Sequence, residues 1–167
     1  MDSNALKDRF EGCLLGGAAG DALGYAIEFW NEPNIFATFG ETGIQSLEQA
    51  AAQLNDTVAL FSDDTQMTLF TANGLTHGMK RTGEAPAAHN LWLAYQDWLG
   101  TQGDESHMPD PAHPKMWLYG ESLLHALRAP GNIIGALVGK IALEQAFDLS
   151  FLESYDLIVK AADSLLA

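Results

Sequence analysis

The chain has 167 residues, 47% hydrophobic and 18% charged, which predicts a single globular domain with a real core and excludes a disordered chain. Eight Lys and Arg against 22 Asp and Glu leave a net charge of −14, a balance that repels nucleic acid and anionic membrane surfaces. Met1-Asp2-Ser3-Asn4 has no basic n-region, and no apolar run approaches the ~20 residues that span a bilayer, so a cytoplasmic protein is expected.

The first element is a helix over about Leu6 to Ala19, with Phe10, Cys13, Leu14 and Gly17 recurring at helical spacing and Lys7, Asp8 and Glu11 outside that stripe. Cys13 is the sole cysteine, so no intramolecular disulfide forms, and its apolar setting predicts a small core residue in a reducing compartment. The end of the helix is dense in small residues, from Gly16 to Gly24, which suits tight packing before a turn or close approach of a ligand to the backbone. Asp21 lies inside that small-residue segment, and a buried carboxylate needs partners. Glu28 follows between Ile27 and Phe29, either solvated or facing a cleft.

Residues 31–57 read as a loop punctuated by Pro33, Gly40 and Gly43, with one short helix near Leu47 to Leu54. Helices follow from Asp63 to Gly78 and from Glu84 to Leu99, the second with Leu91, Trp92, Tyr95, Trp98 and Leu99 on a core face. Gly100 to Pro114 is a loop whose His107 and His113 lack companions at zinc spacing. Lys115 to Arg128, Ile133 to Phe147 and Phe151 to Leu166 read as three further helices, with Ala129-Pro130-Gly131-Asn132 as the break after the first. No stretch alternates as a strand does, so the expected class is all-α.

The stretch that carries chemistry is Phe61-Ser62-Asp63-Asp64-Thr65-Gln66. Ser62 is a good N-cap, and Asp63 and Asp64 in the first turn complement the helix dipole. The same oxygens, gathered at one helix mouth, also suit a hard cation such as Mg²⁺, which takes few carboxylates and keeps several waters. Both readings stand on the residues alone.

Gly20-Asp21-Ala22-Leu23-Gly24 with Ile27-Glu28-Phe29, and then Ser62-Asp63-Asp64-Thr65-Gln66-Met67, together resemble the ADP-ribosylglycohydrolase family, including the dinitrogenase reductase-activating glycohydrolases. Tyr95 to Leu99, Thr101-Gln102-Gly103 and Leu127 to Asn132 resemble its continuation, so the resemblance covers residues 9–132. It implies a compact all-helical fold with a two-magnesium (or manganese) centre. It also implies cleavage of the glycosidic bond between ADP-ribose and a protein side chain or a small-molecule acceptor. By position, it makes Ser62, Asp63 and Asp64 metal ligands, and Glu28 and Asp64 catalytic, with Glu28 positioning or activating water. It places Asp21, in the Gly20 motif, in a supporting role on the substrate side, with Asp97 as a further substrate-side acid.

The chain departs from the family pattern late in its length. The family's second acidic motif, Gly-Asp-x-Asp-Ser/Thr, has no counterpart, because no Asp-x-Asp follows Asp110. The Gly131-Asn132 pair therefore reads as a junction between regions that lie far apart in the family. The expectations that follow are at most one weakly held Mg²⁺ or Mn²⁺, poor turnover, and self-association through apolar helix faces left uncovered. Two other readings are a catalytically inactive remnant that binds a metal or ADP-ribose, and an acidic helical interaction protein without a ligand.

Overall fold

The computed structural model describes residues 3–82 and 87–128. Over these the chain forms α1 (Ser3–Tyr25), α2 (Glu32–Phe39), α3 (Leu47–Gln53), α4 (Asp63–Thr82) and α5 (Ala87–Thr101). Three 3₁₀ turns follow, Glu105–His107, Trp117–Gly120 and Ser122–Leu124. No strand occurs among the described residues, and the fold is all-α as the sequence predicts. The junction at Gly131-Asn132 and the helices expected over 133–147 and 151–166 lie outside the described residues.

Helix α1 does not end at Ala19. It continues through the glycines to Tyr25, because Ala18, Ala19, Ala22 and Leu23 are strong helix formers and no proline interrupts them. Only its C-terminal part is well covered: Ala22 and the following Ala26 are buried, and the helix packs against α3 and α4. Its first half faces outward, with Phe10 58% and Leu15 71% exposed. Cys13 lies on this exposed half, so the expectation of a core cysteine is corrected.

The stretch read as a loop before Gly40 contains α2. Asn31 caps it, its side-chain oxygen accepting from the Asn34 N–H at 3.0 Å, and Pro33 stands in the first turn. A proline at that point opens a helix, since its missing N–H would have had no intrahelical partner there. Helix α3 is fixed by a capping box in which Ser46 and Gln49 bond each other's backbone.

The core lies between α4 and α5 and is closed by the segment after α5. Phe70, Ala94, Trp98, Leu99, Met116, Leu118 and Leu124 form it, all essentially out of solvent. The two helices approach closely at Gly74, where an added Cβ would lie 2.8 Å from the Asn90 carbonyl oxygen and 2.9 Å from the Ala94 Cβ.

Residues 115–128 are not the helix expected of them. Several of their backbone groups are taken by side chains of α4 and α5, and those that bond one another do so at 3₁₀ spacing. One oxygen of Asp97 accepts from the Lys115 and Met116 N–H groups, both at 2.6 Å, and Asn73 Oδ1 accepts from the Leu118 N–H at 3.2 Å. Gln66 donates from Nε2 to the Ala126 and Leu124 carbonyls, at 2.9 and 3.4 Å. Each such bond diverts a donor or acceptor that a continuing helix would need, so only short 3₁₀ turns survive.

Candidate functional site

The site is built around the carboxylate of Asp21, carried on the last turns of α1. Its Oδ2 accepts from the Ser62 N–H at 2.9 Å, the Thr65 N–H at 3.1 Å and the Thr65 hydroxyl at 2.5 Å. Its Oδ1 accepts from the Ser62 hydroxyl at 2.6 Å. Ser62 in turn accepts from the Asp64 N–H at 3.1 Å, and the Arg128 carbonyl accepts from the Asp63 N–H at 3.1 Å. The N–H groups of Ser62, Asp63, Asp64 and Thr65, which a helix N-terminus leaves without intrahelical partners, are therefore all satisfied.

This arrangement separates residues that are adjacent in sequence. Ser62 and Thr65 are 4% and 6% exposed, turned inward onto Asp21, whereas Asp64 is exposed and Asp63 half-exposed. Asp63 feels its surroundings strongly. Burial pushes its carboxyl above the ordinary aspartate value, and the charges of Asp64, Glu28 and Asp21 add to that, against a lowering by its own backbone hydrogen bond. Glu28, exposed in the turn after α1, is therefore a neighbour of Asp63 across the gap between the two helices. The charges of Asp64, Glu28 and Asp21 thus all act on Asp63 at the start of α4.

Two residues expected on the substrate side are placed differently. Asp97 is 1% exposed, and its oxygen is committed to the Lys115 and Met116 N–H groups, so it pins the segment after α5 and presents no surface to a substrate. Burial raises its carboxyl above the usual range, opposed by those two N–H groups and by Lys115 and His77. Gly20 is exposed on the C-terminal part of α1, and a Cβ there would meet no protein atom within 4 Å, so no close approach of another protein element requires a glycine there.

The metal ligands implied by the sequence resemblance, Ser62, Asp63 and Asp64, stand together at the start of α4, with Ser62 buried, Asp63 half-exposed and Asp64 exposed. Ser62 Oγ, on a buried residue, donates to Asp21 and accepts from the Asp64 N–H. Among the described residues, no three of His, Cys, Asp and Glu converge as a metal-holding group. What the arrangement offers is concentrated negative charge at the start of α4, with a part-buried hydrogen-bond lattice holding it in place.

Two residues essential to this geometry carry little signal in the sequence. Gln66 is fully buried, and besides its donations to the 124–126 backbone its Oε1 accepts from the Trp98 indole N–H at 3.2 Å. Arg128 lies across Phe61, its guanidinium carbon 5.3 Å from the ring centre and one N–H donating to the Phe61 carbonyl at 3.2 Å. The hints for Arg128 were its place in the family-like stretch Leu127 to Asn132 and its position immediately ahead of the Ala-Pro-Gly-Asn break.

A family model for the ADP-ribosylglycohydrolases matches residues 2–144, and the chain belongs to that family. The family implies hydrolase chemistry of the glycosidic type and ADP-ribosylated substrates in general. No curated protein and no solved structure gives a match. Among the described residues no helix is long and apolar enough to cross a membrane.

Proposed function

We propose that the Glu28–Asp63–Asp64 cleft is one side of a site that hydrolyses the glycosidic bond between ADP-ribose and a protein side chain or small-molecule acceptor. The observation that carries this reading is the Asp21 lattice, which fixes the α4 mouth so that Asp63 stands in the field of Asp64 and Glu28. Cleavage at the ribose anomeric carbon builds positive charge in an oxocarbenium-like transition state. Clustered carboxylates that lie close before the reaction begins stabilise that charge without reorganising. Glu28, exposed in the turn after α1 and within electrostatic reach of Asp63, would orient the attacking water and accept its proton. Asp64, exposed on the first turn of α4, is the acid assigned to the ribose side of the reaction.

The same carboxylates bind at most one Mg²⁺ or Mn²⁺, and bind it weakly, because the family's second acidic motif has no counterpart after Asp110 and one helix mouth supplies few oxygen ligands. Turnover by the 167-residue chain is accordingly poor or nil, which leaves an inactive binding protein as the second reading, favoured by that same incomplete ligand set.

The test uses the full chain, peptides ADP-ribosylated on arginine or on serine, and Mg²⁺ or Mn²⁺, with released ADP-ribose measured by chromatography. Calorimetric titration with each metal is run in parallel on the unaltered chain and on Asp64→Asn. Weak metal binding that disappears in Asp64→Asn, with little ADP-ribose released, is the expected result. Robust metal-dependent release would overturn the weak-turnover reading, and metal affinity unchanged by Asp64→Asn would reduce the acidic pair to a helix cap.

A further inference from the structure

Helix α1 carries a second pattern beside the one that holds the site. Leu6, Phe10, Cys13, Gly17, Gly20 and Gly24 recur at alternating steps of four and three, the seam along which one helix packs on another. The seam is largely uncovered. Phe10 is 58% exposed, Cys13, Gly17, Gly20 and Gly24 are exposed, and Leu6 is half-buried. A Cβ added at Gly17, Gly20 or Gly24 would meet no protein atom within 4 Å. Asp21 and Ala22 turn the other way, Asp21 onto Ser62 and Thr65 and Ala22 into the interior, so the packing of α1 on α3 and α4 uses a different face.

Glycines alone would say nothing of a partner. This seam is divided: its large side chains stand in the first half and its glycines in the second. A second α1 laid antiparallel, in the register that sets Cys13 opposite Gly17 of the second copy, also sets Phe10 opposite Gly20 and Leu6 opposite Gly24. Every large side chain then meets a glycine, and the two-fold axis repeats each contact, which makes the interface isologous. A parallel pair would stack Phe10 on Phe10 and leave the glycine halves facing each other across a void. Charge favours the same partner. At −14 overall, two copies repel over most of their surface, but on the exposed half of α1 Lys7 and Arg9 balance Asp8 and Glu11, and no seam position is charged. Leu15, 71% exposed, lies off the seam on the far side of the helix.

We propose that α1 is a homodimerisation helix, along which two copies of this chain pair antiparallel with Phe10 of each seated on Gly20 of the other. The seam specifies the partner, the direction and the register, which scattered exposed apolar residues do not. This proposal is independent of the glycohydrolase reading of the cleft.

Sedimentation equilibrium of the full chain under reducing conditions measures the association and is expected to show a dimer. Phe10→Ser should weaken dimerisation about a hundredfold or more, because the dimer loses two buried aromatic side chains. Leu15→Ser, which removes an exposed apolar side chain from the far side of the same helix, should leave dimerisation unchanged. Oxidation reads the direction. In the antiparallel register Cys13 of one copy stands a helical turn from Cys13 of the other, too far for a disulfide, so the unaltered chain should form no cross-linked dimer. Gly17→Cys should form one, through Cys13 of the second copy. A monomeric unaltered chain overturns the proposal, and Cys13 shielded from a thiol reagent in that monomer would assign the seam to another segment of the chain. A dimer that Leu15→Ser weakens as much as Phe10→Ser also overturns it, since that marks unspecific apolar contact. A disulfide formed by the unaltered chain overturns the antiparallel register. Where a variant fails to fold, the unaltered chain still decides through its mass and its oxidation.

Discussion

Replacing Asp21 with Ala should unfasten α4 from α1. The carboxylate accepts four hydrogen bonds, two from the Ser62 and Thr65 backbone N–H groups and two from their hydroxyls. The hydroxyls can rotate to other acceptors, but the backbone N–H groups cannot, and both residues are nearly out of solvent. Each buried donor left unpaired costs about 1–3 kcal/mol, so two cost about 2–6 kcal/mol before any relaxation. Removing a negative charge beside Asp63 returns a part of this, which leaves a net loss of about 3 kcal/mol. For a chain of this size that lowers the melting temperature by about 6–12 °C. Asp21→Asn is the informative companion. Its one carbonyl oxygen, placed where Oδ2 stands, keeps three of the four bonds, so the loss should be about 1 kcal/mol. Urea denaturation and thermal melts followed by circular dichroism at neutral pH measure both. A loss below about 0.5 kcal/mol in Asp21→Ala, the scale of an ordinary surface substitution, would refute the lattice as the device that holds the site.

Asp63→Asn should act in opposite directions on stability and on ligand binding. Its carboxyl is raised above the ordinary aspartate value, so the native state holds the proton more tightly than the unfolded chain, and stability falls as pH rises through that window. The variant should therefore melt higher than the unaltered protein at pH 7, with the gap closing toward pH 4, while any Mg²⁺-dependent rise in melting temperature disappears; equal melting curves across that range would count against the strained-carboxylate account. Gly74→Ala should destabilise by about 1–3 kcal/mol, because the new methyl group meets the Asn90 carbonyl, a backbone atom that cannot swing aside; a neutral effect in denaturant titration would show that α4 and α5 can part freely. Phe10, Leu15, Phe29, Val58, Trp117, Leu123 and Leu127 are all more than half exposed, so the protein should bind apolar dyes and self-associate. A monomeric, dye-silent protein in sedimentation would refute that.

The sequence by itself determined the all-helical class, the start of α4 at the Ser62-Asp63-Asp64 cap, and the family. These follow from local chemistry: helical spacing of apolar residues, a hydroxyl ahead of two acids, and short motifs whose meaning does not depend on distant contacts. The pairing of Asp21 with Ser62 and Thr65 was not legible, because it joins residues 41 and 44 positions apart and is visible only when α1 lies against α4. Residues 115–128 show the opposite failure. Their apolar spacing fits a helix, but Asp97, Asn73 and Gln66 reach in from α4 and α5 and take the backbone groups a helix would use. Tertiary structure likewise decided between two acids that look alike in sequence. Asp97 was drawn inside to hold backbone N–H groups, whereas Asp64 was left at the surface beside Glu28 and Asp63. A carboxylate's role depends on which donors the fold brings to it, and those donors come from elements that no local pattern connects.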